Sequence, residues 1–131
     1  TINMKICVVG SHKDKAIGQQ INDKSSKKNI IDICGKTTLT EVVDIMSYAK
    51  CVISNDSGLM HIGAASSSHL IAIFGSTSTD YTPPLSQDNI VKVFESEIDC
   101  SPCYARTCRF NHYKCLNSTT ASNVFSYIET L

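Results

Sequence analysis

A short polar segment near the middle of the chain contains the residues best suited to bind an anion. Asn55-Asp56-Ser57-Gly58 lies between the apolar residues 51–54 and a run of small and apolar residues that begins at Gly58. If a strand leads into a helix here, the first backbone N–H groups of that helix lack partners in the chain. The helix dipole favours negative charge at the same end. Because Ser57 and Gly58 let a phosphate approach the backbone closely, the segment predicts a diphosphate site.

Asp56 allows two interpretations at this position. As the N-cap of the helix, its carboxylate would accept hydrogen bonds from the same amides that a phosphate needs. If a phosphate binds instead, repulsion predicts that the Asp56 carboxylate points away, towards sugar hydroxyls. His61 lies one helical turn after Ser57 on the same face and is suited to donate to a phosphate oxygen. A purely structural role for His61 is the alternative.

Other common catalytic fingerprints are absent from the sequence. It contains no P-loop, no G-x-G-x-x-G and no G-x-S-x-G motif. Ser54 and Ser57 have no local base, so neither is predicted to be a nucleophile. The hydroxyl-rich residues 75–79 follow the next apolar run. In a parallel sheet, their tip would lie at the same edge as the segment around Asp56 and would add ligand contacts.

Four of the seven cysteines form a cluster near the C-terminus. The other three (Cys7, Cys34 and Cys51) lie in apolar runs and are predicted to be small buried side chains. Because the first residues lack the apolar region of a signal peptide, a disulfide framework is the poorer explanation of the cluster. Its spacing, C-x2-C-x4-C-x6-C, is compatible with a tetrahedral metal, with His112 as a spare ligand. A compact loop of reduced thiols is the preferred interpretation, so zinc is not expected. The clustered cysteines are Cys100, Cys103, Cys108 and Cys115.

Apolar runs alternate with segments of helical spacing along the chain. The runs predict strands over 5–9, 30–34, 51–54, 70–74 and 90–94. Helices are predicted over 15–24, 39–46, 58–67 and 120–131, and residues 95–117 are predicted to be irregular. Thr38 is the predicted N-cap of the second helix, because Glu41 follows three residues later. The pattern predicts an α/β fold with a doubly wound, Rossmann-like parallel sheet, buried on both faces.

Composition limits the classes of protein that fit. The 131 residues are enough for one domain, and 42% hydrophobic with 18% charged residues is typical of a globular chain. The 12 basic and 12 acidic side chains give a formal net charge of zero, which argues against nucleic-acid binding. No apolar run approaches the about 20 residues of a membrane-spanning helix.

Several motifs in order along the chain resemble glycosyltransferase family 9, the family of the heptosyltransferases. They are Gly35-Lys-Thr-Thr-Leu39, Ser54-Asn-Asp-Ser-Gly-Leu-Met-His61, Phe74-Gly-Ser-Thr-Ser78, Thr82-Pro-Pro-Leu85 and the cysteine cluster over 100–115. The resemblance implies two facing Rossmann-like domains in the GT-B arrangement, of which residues 1–131 would be the C-terminal, donor-binding one. The acceptor site and the catalytic base would then lie in an N-terminal domain outside this chain, so no catalytic residue is expected here.

The resemblance also implies a reaction and roles for individual residues. The donor would be ADP-heptose, the acceptor the lipopolysaccharide inner core, and the transfer would invert the anomeric centre without a cofactor. Asp56 would contact the heptose, and Ser57, Gly58 and His61 the diphosphate. Thr37 would contact the adenosine and Asp14 the ribose. The resemblance implies a cytoplasmic enzyme, with peripheral attachment to the inner face of the membrane as the further option.

Two alternatives of other classes stay open from the sequence. One is a stand-alone nucleotide-binding module without transfer chemistry, whose sheet and phosphate site would look the same. The other is an interaction domain stapled by a metal at the cysteine cluster, in which Arg106, Arg109 and Lys114 would meet phosphates.

Overall fold

The structure, a computed structural model, describes residues 4–25, 29–66, 69–86 and 90–131. The chain divides into two compact units, residues 1–44 and 45–131. Each unit contains its own parallel sheet. The predicted class, α/β with parallel strands, is confirmed.

The first unit is built on two short parallel strands, β1 (Ile6–Val8) and β2 (Ile30–Asp32). A 3-10 turn (His12–Asp14) leads into helix α1 (Lys15–Lys24), which packs on β2. Ile6 and Ile31 remain 53% and 50% exposed. The prediction that these strands are buried on both faces is therefore wrong, because in the described part of this unit α1 covers one side of the pair.

Helix α2 (Leu39–Ser47) begins at the predicted cap. The Glu41 carboxylate accepts hydrogen bonds from the backbone N–H and the hydroxyl of Thr38, over 2.7 and 2.8 Å. The Glu41 N–H donates to Thr38 Oγ1 over 3.3 Å, which completes a capping box. The helix buries Val42 and Met46 on one face, as the apolar spacing predicts.

The second unit contains three parallel strands in sequence order, β3 (Val52–Asn55), β4 (His69–Ile73) and β5 (Ile90–Phe94). Helix α3 (Gly58–Ser66) packs on β3 and β4. The core of this unit is made by large side chains that are fully buried, namely Phe74, Met60, Leu70 and Ile71. Because β4 is the central strand, its residues carry most of this burial.

The C-terminal region contains two helices. Helix α5 (Ala121–Ile128) is capped by Thr120 and lies where it was predicted. Helix α4 (Lys114–Asn117) falls in a stretch predicted to be irregular, and that prediction is wrong. A single turn of four residues is too short to show helical spacing in the sequence. Residue 67, the predicted last residue of α3, lies outside the described residues.

Within the described ranges, no helix is long and apolar enough to cross a membrane.

Gly63 is the point of closest approach between α3 and the sheet. A Cβ placed there would lie 3.0 Å from Val52 Cγ1 and 3.3 Å from Leu70 Cδ1, both in the core of the second unit. A side chain at this position would therefore crowd Val52 and Leu70, and the absence of one lets α3 lie this close to β3 and β4.

We expect Gly63→Leu to lower the free energy of unfolding by about 1–3 kcal/mol, because the new side chain overpacks the contact between α3 and the strands. Urea unfolding followed by circular dichroism measures the change. The control is Ala65→Leu, which adds a similar side chain to an exposed position of α3 and should change the free energy by no more than about 0.5 kcal/mol. Equal effects of the two substitutions would contradict the assigned packing.

Candidate functional site

The carboxyl ends of β3, β4 and β5 bring three loops to one edge of the second sheet. The register pairs Asn55 with Ile73, and Ile73 with Phe94, so the three strands end side by side. The hydrogen bond from Asp56 N to Ile73 O, 3.2 Å long, continues this alignment one residue further. The loops that follow the strands therefore meet where ligands of parallel sheets bind.

Helix α3 begins at this edge with unused hydrogen-bond donors. Among the described residues, the backbone N–H groups of Ser57, Gly58 and Leu59 donate to no other group, whereas Met60 N donates to Ser57 O over 3.1 Å. We call these three donors the α3 amides. A Cβ placed on Gly58 would meet nothing within 4 Å, so the space beside it is open. The α3 amides can thus donate hydrogen bonds to an anion that approaches from this side.

The Asp56 carboxylate turns to a neighbouring loop. Thr82 Oγ1 lies 3.1 Å from Asp56 Oδ2 and 3.3 Å from the carbonyl oxygen of Ser78. Within the described ranges, the carboxylate accepts no hydrogen bond from the α3 amides. Of the two interpretations of Asp56, the geometry is that of a carboxylate pointing away from the start of the helix.

His61 lies on the exposed side of α3, one turn after Ser57. In the described part of the chain, its imidazole makes no hydrogen bond, so the ring is available to a ligand. Ser57 Oγ lies 3.4 Å from Ser54 Oγ, at the start of the same helix.

The two predicted adenosine contacts lie in the first unit. The Asp14 carboxylate accepts hydrogen bonds from the N–H and the hydroxyl of Ser11, over 2.7 and 2.6 Å. These bonds, the one from the hydroxyl first, hold the pKa of Asp14 below its ordinary value. Thr37 Oγ1 is buried and, in the part of the chain that is described, has no hydrogen-bond partner. The structure thus groups Asp56, Ser57, Gly58 and His61 at one edge and places Asp14 and Thr37 in the other unit.

Further along the same edge of the second unit, the surface becomes acidic. Thr79 Oγ1 donates to Glu95 over 2.8 Å and joins the loop after β4 to the end of β5. A polar cavity of about 280 Å³ lies here, and its walls include Asp80, Glu95 and Glu97. Sequence reasoning gave no role to Thr82 or Glu95. The available signals were the position of Glu95 directly after a predicted strand and the presence of Thr82 in one of the motifs that resemble the family.

Residues 100–115, which we call the cysteine loop, are attached to the loop after β4. Ser101 Oγ donates to Gly75 O over 2.8 Å, and the N–H groups of Cys103 and Tyr104 donate to Ser76 O over 3.0 and 2.7 Å. A Cβ placed on Gly75 would lie 2.5 Å from Leu116, the residue that follows the cysteine loop. The loop after β4 therefore also packs tightly against the end of the cysteine loop. The cysteine loop therefore supports the edge on which Asp56 lies, which the sequence did not reveal.

Two thiols of the cysteine loop lie beside His112. Cys100 Sγ lies 3.9 Å from Nε2 of His112, and Cys108 Sγ lies 4.0 Å from Nδ1. Because the two sulfurs face opposite nitrogens of one ring, they cannot share a metal ion with it. In the described ranges, no group of three or more potential ligands is arranged to hold a metal ion, and all seven cysteines are free thiols.

The three cysteines outside the loop differ in exposure. Cys34 is buried as predicted, with 2% of its surface exposed. Cys7 is exposed, and Cys51 has intermediate exposure, so the prediction is wrong for Cys7. The reason is that Cys7 lies in β1, which belongs to the sheet that is covered on one side.

Two thiols have strongly different acidities. Hydrogen bonds from backbone N–H groups, that of Tyr113 foremost, lower the pKa of Cys108 below its ordinary value despite some desolvation. Burial, together with the hydrogen bond and the negative charge of Asp32, raises the pKa of Cys34 to about 11.

Comparison with known proteins places these features in a family context. The family profile described as glycosyltransferase family 9 (heptosyltransferase) matches residues 1–114. The chain is 40% identical over 97 residues to lipooligosaccharide heptosyltransferase 2 of Haemophilus influenzae, covering 71% of this chain and 28% of that protein. It is 30% identical over 108 residues to the protein of the same name from Campylobacter jejuni, covering 82% and 34%.

A solved structure agrees with the sequence matches. The structure of Escherichia coli ADP-heptose lps heptosyltransferase II superposes with a TM-score of 0.65 and 28% sequence identity, over 87% of this chain and 35% of that one. The resemblance seen in the motifs is therefore confirmed, and the α/β fold with parallel sheets matches that of this structure. The chain spans about a third of the length of the relatives that it matches.

We expect iodoacetamide to alkylate Cys108 well before Cys34, because the thiolate is the reactive form. A lowered pKa keeps part of Cys108 as thiolate at pH values where an ordinary thiol is protonated. Cys34, with its pKa near 11, stays protonated as well as buried. Peptide mass spectrometry at pH 6, 7 and 8 measures both rates, with glutathione as the reference thiol. A rate for Cys108 that falls below that of glutathione as the pH decreases would contradict the assignment.

Proposed function

This chain belongs to glycosyltransferase family 9, and on that premise we propose that it is the donor-binding domain of a heptosyltransferase. Its donor would be ADP-heptose and its acceptor the lipopolysaccharide inner core, in keeping with the names of the relatives. Residues 1–131 would act as one C-terminal domain of a GT-B enzyme. The acceptor site and the catalytic base would belong to an N-terminal domain, and the low coverage of the relatives is compatible with such a domain.

One observation carries the proposal, namely the α3 amides with the Asp56 carboxylate turned away from them. Three unused donors at the positive end of a helix favour a dianionic group, and the open space beside Gly58 leaves room for it. A capping carboxylate would compete for the same donors. Its hydrogen bond to Thr82 removes this competition.

The proposed contacts with the adenosine, Thr37 and Asp14, have less direct support. Among the residues that the structure describes, the buried hydroxyl of Thr37 has no partner, and an unsatisfied buried polar group costs about 1–3 kcal/mol. A hydrogen bond from bound adenosine would remove that cost. Asp14 already accepts two hydrogen bonds from Ser11, so contact with the ribose would require a ribose hydroxyl to replace or share one of them.

We propose an inverting transfer. The oxygen of the acceptor hydroxyl attacks the anomeric carbon, while the bond between that carbon and the diphosphate oxygen breaks. Negative charge then develops on the departing ADP. The α3 amides and His61 are positioned to stabilise this charge, and preorganised donors of this kind often supply the largest part of catalysis. No cofactor enters this scheme. A base and an acceptor must be held opposite the donor, so the chain alone is not expected to catalyse transfer.

The setting of this reaction is also part of the proposal. An enzyme that acts on lipopolysaccharide core would work in the cytoplasm, at the inner face of the membrane. No nucleic-acid partner is proposed, because the formal charge of the chain is zero. A stand-alone nucleotide-binding module would use the same α3 amides without chemistry. Heptose transfer by the longer protein would exclude that alternative.

We expect Gly58→Ala to weaken ADP binding about tenfold, which corresponds to about 1.4 kcal/mol, because its methyl group occupies the space that the diphosphate needs. The fold should be unaffected, since that methyl group meets no other atom within 4 Å. Isothermal titration calorimetry with ADP measures the affinity. Adenosine is the control ligand, because it lacks the diphosphate and should bind both proteins equally.

An NMR titration of the unsubstituted chain locates the ligand. ADP should shift the amide signals of Ser57, Gly58 and Leu59. Shifts confined to the cysteine loop would count against the proposed function. So would equal affinity for ADP of the unsubstituted chain and the Gly58→Ala variant.

A further inference from the structure

Two tyrosine rings meet beside the candidate site. Tyr81 and Tyr104 pack edge to face, with their ring centroids 5.6 Å apart and their planes at 85°. This is a favoured geometry for aromatic pairs. Both rings nevertheless remain largely exposed, 76% for Tyr81 and 51% for Tyr104. The pair therefore presents a preformed aromatic surface to whatever occupies this edge of the sheet.

The backbone holds Tyr104 in an unfavourable conformation. Its φ angle is +55°, in the left-handed region that side chains other than glycine, asparagine and aspartate rarely adopt. The hydrogen bonds from Cys103 and Tyr104 to Ser76 O fix this turn against the loop after β4. The surrounding structure thus holds Tyr104 in a locally strained conformation, which fixes the position of its side chain.

Ionisable groups near Tyr104 affect the acidity of its hydroxyl. Partial loss of hydration raises the pKa of Tyr104 above its ordinary value, and interactions with the ionised forms of Tyr81, Asp80, Glu95 and Asp56 raise it further. The phenol therefore stays protonated and can donate a hydrogen bond. Tyr81, whose ring contacts Tyr104, directly precedes Thr82, and Thr82 donates to Asp56. Tyr104 therefore lies on the side towards which the Asp56 carboxylate turns.

The edge of the sheet is consequently polarised along its length. At one end, the α3 amides favour an anion. Beyond Asp56, the carboxylates of Asp80 and Glu95, the polar cavity and the Tyr104 hydroxyl favour a neutral group rich in hydroxyls and repel phosphate. A sugar nucleotide has the same polarity, with a charged diphosphate next to an uncharged sugar.

We infer that Tyr104, supported by Tyr81, determines specificity for the sugar of the donor by forming one wall of the site that holds the sugar ring. The inference rests on the proposed function and adds the direction in which the donor lies, with its diphosphate at the α3 amides and its sugar towards the loops that follow β4 and β5. Tyr104 contacts the ring face and donates its hydroxyl to the sugar, whereas Tyr81 keeps the Tyr104 ring in place.

The test compares ADP with ADP-heptose on the full chain, by isothermal titration calorimetry. Tyr104→Asn removes the ring but suits the left-handed backbone, so that the turn is kept. We expect this variant to lose about tenfold in affinity for ADP-heptose and to bind ADP as before. Tyr104→Phe keeps the ring, and its affinity for ADP-heptose should fall less than that of Tyr104→Asn.

Tyr113→Asn is the matched control. Tyr113 lies in the same cysteine loop, is exposed and also has a positive φ, of 47°, but it is not a member of the Tyr81–Tyr104 pair. Its substitution should change neither affinity. A structural role of Tyr104 alone would lower the affinities for ADP and ADP-heptose together, and this result would overturn the inference. An unchanged affinity of Tyr104→Asn for ADP-heptose would also overturn it.

The unsubstituted chain separates this inference from the proposed function. If it binds ADP and ADP-heptose equally well, no sugar contact contributes and the inference about Tyr104 fails, while the proposed diphosphate site stands. If it binds neither ligand, both fail.

Discussion

The hydrogen bond between Thr82 and Asp56 is the interaction on which the candidate site depends. An acidic residue near the start of a helix can cap it, and such a cap contributes about 1 kcal/mol. Here the carboxylate accepts a hydrogen bond from a hydroxyl on the loop after β4 instead. A charge-assisted bond of this kind offsets the lost cap. Its consequence is that the α3 amides remain unused at an open surface.

That hydrogen bond in turn requires the sheet of the second unit. Asp56 and Thr82 are 26 residues apart and meet only because β3 and β4 are parallel neighbours that end in register. The fully buried side chains of β4, together with Met60 of α3, hold these ends in place. Gly63 lets α3 lie close enough to β3 and β4 for its first turn to reach the same edge. Packing in the core thus sets the geometry of the polar groups at the surface.

Local patterns in the sequence predicted local structure well. The predicted Thr38–Glu41 capping box is present. The bounds of the strands in the second unit differ from the predicted ones by no more than one or two residues. The orientation of Asp56 could not be predicted, because its partner is distant in sequence. Ser11, by contrast, lies three residues before Asp14, and this spacing could have shown that the Asp14 carboxylate is already engaged. The exposure of β1 depends on which helices cover the sheet. The pattern of residues within the strand does not show whether each face is covered.

The cysteine loop illustrates why residue type alone was a poor guide to its role. Four thiols and a histidine left a metal as the alternative to the preferred loop of reduced thiols. Neither interpretation indicated the contacts that join the loop to the site, which come from backbone N–H groups, one serine hydroxyl and Leu116, the residue that follows the loop. None of these contacts uses a sulfur. What the loop contributes to the edge of the sheet is a fixed turn that carries Tyr104. Its thiols therefore have no part in holding that turn against Ser76, and their acidity follows separately from the amides that surround Cys108.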